Sequence, residues 1–306
     1  SAGASPAARD AKRDAAVDAK SDAHAKVEPE KPVVAEVVAP DGTKALPCSE
    51  PVPKGMACIP GGPFIRGSDD GPDNTRPKST VWVQTFYMDL YEVTYAQYGA
   101  CMKEQGCNRA RPRYTDYDHP NMPMTGINWY DAVKYCELQG KRLPTEAQWE
   151  KAARGPDGHL YPWGDDPVTC ERAIYRDASG RGCGLKKQFS KPETGRPWDV
   201  GSRPAGVYGL FDMVGNSWEW VDDWYGGSWS KCGAECEGVD PKGPCGGGAK
   251  ACPGHHSKIV RGGSWYWEDE KATGIYRRHH TPANEPFHHF GFRCAATADD
   301  AAKLPK

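Results

Sequence analysis

The 306-residue sequence carries 39 lysines and arginines against 41 aspartates and glutamates, a formal net charge of -2, so the chain as a whole has no electrostatic case for gripping nucleic acid or an anionic bilayer. No run of about 18 apolar residues occurs, so no stretch of it reads as a transmembrane segment. The 12 cysteines form an even set scattered from Cys48 to Cys294; that layout is unlike a structural zinc site and is read as a disulfide framework, which places the chain in an oxidising, extracytoplasmic compartment.

Residues 1–47 are dominated by Ala, Asp, Lys, Val and Pro and contain no aromatic residue. Such a segment cannot bury enough apolar surface to offset the entropy of ordering, and a disordered tether is predicted. It reads as a spacer after a removed export or lipoprotein signal, which would attach the domain to a membrane or wall, through a lipid in the lipoprotein case. Residues 48–297 hold the tryptophans and tyrosines and are predicted to be one domain. Within it, Cys48/Cys58, Cys101/Cys107 and Cys170/Cys183 each bracket a short loop, and Cys232, Cys236, Cys245 and Cys252 crowd into a Gly-rich insertion at 226–258. Local staples fit this layout, with the connectivity left open.

The first regular element is Thr80–Met88, whose alternation and β-rich composition predict one strand with a buried face. Thr94 is placed to cap a helix running through Cys101. Asn128–Leu138 sets Trp129, Ala132, Val133 and Cys136 on one helical stripe that ends at Gly140. Thr145 with Gln148 three residues on is a capping-box pattern opening a helix to Arg154. Beyond Gly155 loops and short strands are predicted, and residues 298–306 read as a disordered tail.

Long motifs carry more than composition does. Ile59-Pro-Gly-Gly-Pro-Phe-Ile-Arg-Gly-Ser68, Tyr87-Met-Asp-Leu-Tyr-Glu-Val-Thr94, the block Gly140–Gly155, Tyr161-Pro-Trp-Gly-Asp165, Val200-Gly-Ser202, Tyr208–Trp220, Arg261-Gly-Gly-Ser-Trp265 and Gly291-Phe-Arg-Cys294 follow one another in order. Together they resemble the formylglycine-generating enzyme, or sulfatase-modifying factor, family across nearly all of residues 58–296. The resemblance implies an α+β, irregular C-type-lectin-like fold with little regular structure, stapled by disulfides. It also implies a Cys136–Cys294 bridge, closing a loop of about 160 residues and stabilising by about 4–5 kcal/mol as an upper estimate.

The family's prototype oxidises a substrate cysteine with copper(I) held by two cysteines, because soft Cu(I) prefers sulfur. Counted from Gly262-Gly-Ser264, those positions fall on Trp267 and Ala272, neither of which binds copper. Histidine offers a rival: His279, His280, His288 and His289 lie in the segment that shapes the family's groove, and imidazole suits copper, iron or zinc. The alternative for these histidines is exposed polar or stacking groups pointing different ways. The resemblance further implies calcium at Asp212 and Glu219 by side chain and at Gly215 and Ser217 by backbone carbonyl, the hard oxygen donors that Ca²⁺ demands. The alternative use of Asp212 and Glu219 is to satisfy nearby amides and arginines. Near Ala173 and Ile174 a second family calcium site has lost its Asn donor, and Asp69–Asn74 reads as a turn.

Trp149, Trp163, Trp218, Trp220 and Trp265 are assigned mainly to the core. Trp218, Ser264, Trp267, Arg277 and Arg278 are the groove candidates, the arginines suited to a carboxylate or sulfate. Three functions compete: a noncatalytic module presenting its groove to an exported protein, peptide or glycan; an oxidoreductase of altered chemistry with a His-bound metal; and sulfatase activation by another route.

Overall fold

A computed structural model describes residues 36–306 apart from 113, 190–193 and 284–286. Strands β1 (Met56–Ile59), β2 (Gly62–Arg66), β3 (Ser79–Val83) and β4 (Phe86–Asp89) precede helices α1 (Tyr95–Glu104), α2 (Trp129–Leu138) and α3 (Glu146–Arg154). Then follow β5 (Trp218–Trp224), the short α4 (Trp229–Cys232), β6 (Lys258–Arg261), β7 (Arg277–His280), β8 (Phe290–Gly291), β9 (Ala295–Thr297) and α5 (Ala298–Ala301). Three small sheets result, ordered β1-β4-β9, β2-β3 and β7-β6-β5-β8, with β8 parallel to β5 and the other pairs antiparallel.

The helices start where their caps place them. Thr94 with Gln97 and Thr145 with Gln148 form reciprocal capping boxes, and the Asn128 side chain accepts from the Asp131 amide, each satisfying amides that the first turn would otherwise leave bare. All six staples form: Cys48–Cys58, Cys101–Cys107, Cys170–Cys183, Cys232–Cys236, Cys245–Cys252, and Cys136–Cys294 across 158 residues. The last joins α2 to the strand end beside β9, deep in an aromatic core that includes Trp129, Trp218, Trp220, Phe290 and Phe292.

Helix α3 is buried on every side although it carries Glu146, Glu150, Lys151 and Arg154. The explanation is an ion network. Arg261 donates to Glu146 at 2.6 Å and to Glu150 at 2.9 Å, Arg277 donates twice to Glu146 at 2.7 and 2.8 Å, and Arg154 pairs with Glu150 at 2.5 Å. Lys151 reaches the carbonyls of Pro60 and Gly62 instead, at 2.7 and 3.0 Å. Burial alone would raise the two carboxyl pKa values, but the guanidiniums of Arg277 and Arg261 for Glu146, and of Arg261 and Arg154 for Glu150, reverse that and hold both below the usual range.

Three sequence expectations need correction. Thr80–Met88 is two strands, not one: the chain breaks at Gln84-Thr85, where the Gln84 amide donates to Asp240 and Thr85 Oγ1 to the Leu46 carbonyl, so β3 pairs with β2 while β4 joins another sheet. Val81 through Val83 and Phe86 through Met88 are buried on both faces, because each is covered by a different layer. Residues 36–47 belong to the domain rather than to the tether. Asp41 and Gly42 turn the chain so that Val38 bridges Lys44, and the Leu46 amide docks on Gln84 at 2.8 Å; the rest of the expected tether, 1–35, lies outside the described residues. The 298–306 tail is an ordered helical end: Thr297 caps α5, Ala301 is fully buried against Met56, Tyr87 and Ala296, and the Pro305 carbonyl accepts from the Lys54 amide.

Candidate functional site

The Gly262-Gly263-Ser264 turn builds the site. Both glycines have positive φ, and a Cβ on Gly263 would stand 2.6 Å from the Lys271 carbonyl, so only glycine lets the turn press against the 271–272 backbone. Beyond it the chain presents Trp265, Tyr266 and Trp267 in succession. Trp265 is pinned by its amide donating to the Asn216 carbonyl and its carbonyl accepting from Gly182.

Around Trp265 and Tyr266 lies a cavity of about 280 Å³ whose other walls are Tyr114, Tyr117, Thr194, His288, Arg181 and Lys187. The rings meet edge to face, Tyr117 with Trp265 at 5.5 Å and Tyr266 with His288 at 5.3 Å, a favourable geometry for aromatic quadrupoles. Arg181 lies 3.8 Å over Tyr266 and the Lys187 ammonium 4.0 Å over Tyr114. Lys187 is only 4% exposed, and among the described residues no carboxylate pairs with it or with Arg181. Burial pushes the Tyr117 phenol far above its usual range, with the Asp116 carboxylate adding to it, so that wall stays a neutral hydroxyl, donating to the Gly195 carbonyl at 3.1 Å.

Next to this cavity Trp267 is half-buried, with Arg278 4.9 Å over its ring and its indole N–H 3.5 Å from Nε2 of His289. His289 is 3% exposed, and burial, then His288, Arg278 and His280, push its pKa down to about 2. The ring is therefore neutral, and its Nδ1 has no hydrogen-bond partner among the described residues.

Of the groove candidates, none lines the cavity: Trp267 meets its wall residue Tyr266 edge to face at 5.6 Å, and Arg278 lies over Trp267. Arg277 is buried in the α3 ion network, stacked 3.6 Å over Trp229. Adjacent residues of β7 point to opposite faces, so Arg278 goes to the aromatic side and Arg277 away from it. Trp218 is wholly buried in the main core, and Ser264 is buried within its turn. The four histidines also separate: His279 stacks on Tyr225 at 4.0 Å, whereas His280 packs against Phe287 and Phe290. Among the described residues no three His, Cys, Asp or Glu side chains converge as a metal-binding group. Ala272, the second family copper position, is buried with Val168, Tyr175 and Val214.

At the expected calcium loop, Asp212, Gly215 and Asn216 all have positive φ, which folds a tight turn. Both Glu219 oxygens are already engaged: Arg293 donates to Oε1 at 2.6 Å and to Oε2 at 2.8 Å, and the Trp149 indole to Oε2 at 2.8 Å. Asp212 accepts from the Gly201 amide at 2.6 Å. Glu92, buried nearby, accepts from Asn216 through one oxygen and has no partner for the other. Burial, and then Glu219 and Asp212 acting on Glu92, raise these acids: Glu92 well above its usual range, Asp212 to about 6. Arg293 and Arg203 both act on Asp212, and among the described residues no three His, Cys, Asp or Glu side chains converge here as a metal-binding group either. The Ile174 carbonyl accepts from the Asn216 amide, and Asp69–Asn74 closes as a turn clasped by Lys78 and Arg277.

The sequence reading missed Tyr114, Tyr117, Arg181, Lys187 and Tyr266, which lie in segments with no period; Lys187, set between Lys186 and Gln188, gave no signal of its burial.

Fold and cleft define an irregular, disulfide-stapled α+β domain with C-type-lectin-like architecture. A family model for the sulfatase-modifying factor enzyme 1-like domain matches residues 43–298, and the chain belongs to that family. It is 31% identical over 301 residues to the formylglycine-generating enzyme of Thermomonospora curvata, covering 80% of this chain and 94% of that protein. It is also 31% identical over 286 residues to the serine/threonine-protein kinase pkn1 of Chlamydia pneumoniae, covering 87% of this chain but 41% of the kinase, so the chain spans less than half of that protein. The solved structure of PvdO from Pseudomonas aeruginosa superposes with a TM-score of 0.61 at 22% identity, over 79% of this chain and 94% of PvdO, a likeness of fold.

Proposed function

We propose that this chain is an extracytoplasmic binding or scaffolding module of the sulfatase-modifying factor family, offering its aromatic–cationic cleft to an exported protein or peptide, rather than a copper–thiolate oxidase. One observation carries the reading: all twelve cysteines are paired in six disulfides, and Trp267 and Ala272 stand at the positions where the family holds copper. Without a thiolate pair monovalent copper has no soft site, and the oxidation of a substrate thiol through it has no starting point. The six bridges also support an oxidising compartment, and among the described residues no helix is long and apolar enough to cross a membrane.

The test is to incubate the protein with Cu(I) and a Cys-x-Pro-x-Arg peptide and read aldehyde by hydrazide labelling and mass spectrometry. No aldehyde is expected; catalytic conversion would overturn the reading. Calcium enters the proposal as a structural ion, with Asp212 and the Gly215 and Ser217 carbonyls as its donors and Glu219 bracing Arg293 beside it. The support is the buried Asp212 carboxylate, which has no cation at ion-pair distance among the described residues. Its signature is a calcium-dependent rise in Tm that is larger at pH 7 than at pH 5, because a proton on Asp212 competes with the ion; a Tm indifferent to calcium would remove the ion from the proposal.

A further inference from the structure

Lys187 and Arg181 stand on the same small cavity, and neither pairs with a carboxylate among the described residues. Lys187 is nine-tenths buried, and the Nε of Arg181 is buried with no hydrogen-bond partner among the described residues. A cation taken out of water costs several kcal/mol unless its charge is compensated. A ring face compensates part of that, about 0.5–2 kcal/mol per contact, and leaves the rest. Elsewhere in this domain buried arginines are matched by carboxylates, as Arg261 is by Glu146 and Glu150 and Arg293 by Glu219, and the buried ammoniums of Lys151 and Lys258 by two backbone carbonyls each. The cleft departs from that rule at two residues, six positions apart in one loop, whose cations face one cavity.

Resting on the binding-module reading of the same cleft, we propose that the cavity is an anion pocket that takes the carboxylate of a ligand, with Arg181 and Lys187 as its two clamps and Trp265, Tyr266 and Tyr114 enclosing the group to which the carboxylate is attached. Tyr117 and Trp265 have almost no accessible face and are edge-on to each other, so the walls do not offer the flat open platform that a neutral sugar ring stacks on. At about 280 Å³ the space is small, below the range of about 300–1,000 Å³ of drug-sized ligand pockets, and suits one acidic side chain, a chain terminus or one small aromatic acid. Arg181 supplies a planar donor fork and Lys187 a point charge, the combination that orients and neutralises a carboxylate.

The experiment uses the full chain and two matched pairs of probes: phenylacetate against phenylacetamide, and a short peptide with one internal Asp against its Asn counterpart. Binding is followed by tryptophan fluorescence and by chemical-shift perturbation at two ionic strengths. Saturable binding of an acid with Kd of about 1 mM or tighter, at least tenfold weaker for the amide, weaker again at high salt and reduced at least tenfold in both K187M and R181Q, supports the pocket. The acidic peptide binding while phenylacetate does not assigns the carboxylate to a polypeptide; the reverse assigns it to a free small acid. Equal binding of acid and amide, binding untouched by either variant, or no saturable binding of any acid overturns the inference. Equal binding that disappears in Y266A would still leave the cleft a binding site, and aldehyde formation from the thiol peptide would sink the binding-module reading itself, so the two fail separately. R181K, which keeps the charge and loses the fork, checks that lost binding is not lost folding: partial retention is expected, and full retention in R181Q counts against the proposal.

Discussion

Around α3, Arg154, Arg261 and Arg277 each meet a carboxylate at hydrogen-bond distance, while in the cleft Arg181 and Lys187 meet aromatic rings. Both regions bury cations, yet only the first neutralises them from within the described residues. Matched charge of this kind specifies one arrangement of helix and sheet and is costly to break, whereas unmatched charge is electrostatic capacity held for something else. Arg277 and Arg278, neighbours on β7, fall on either side of this division.

The comparison breaks most visibly at Arg261. Arg261→Met leaves Glu146 and Glu150 facing fewer cations in a fully buried site, and a loss of about 3–5 kcal/mol is expected in urea unfolding; a loss under about 1 kcal/mol would show the network to be incidental. Asp212 gives the next effect, of opposite sign. Its folded pKa of about 6 lies above the ordinary aspartate value, so the folded state holds the extra proton and stability falls as pH rises from about 4 to about 6. Asp212→Asn should therefore raise stability at pH 7 by up to ~3 kcal/mol in calcium-free buffer, and the gain should shrink or reverse when calcium is added. No gain without calcium would mean that the carboxylate is already neutralised.

Acid acts on the network in the other direction. Glu146 and Glu150 titrate below their usual range when folded, so the stability they contribute is present above the ordinary glutamate pKa, about 4.3, and is lost as pH falls through the lowered folded values. The Arg261→Met protein should lose much of this acid dependence, which a pH series of urea midpoints would check. Lys187→Met is expected to change stability least, within about 1 kcal/mol of zero and in the stabilising direction, because it removes an unmatched buried charge while keeping the stem. A large destabilisation there would place Lys187 with the framework rather than with the cleft.

Much of the framework was legible along the chain. Thr94, Asn128 and Thr145 marked helix starts because capping is local chemistry between residues three apart, and Cys48/Cys58, Cys101/Cys107 and Cys170/Cys183 bracketed short loops, while the pairing among Cys232, Cys236, Cys245 and Cys252 stayed open. The family motifs supplied the Cys136–Cys294 bridge. The replacement of both copper thiolates by Trp267 and Ala272 was readable from the sequence alone, since it needs only a residue type at a position.

Tertiary structure alone decided which charged side chains found partners. Whether Arg277 or Arg278 faced the groove depended on the pleat of β7 against β6, a register that composition does not encode. The ordering of 36–47 and 298–306 depended on distant groups that these weakly patterned segments meet, the side chains of Gln84 and Thr85 for the first and the Lys54 amide for the second. The cleft itself is assembled from loops near 114, 181, 187, 265 and 288, and a cation's burial there is a property of the packing that surrounds it, which no local period records.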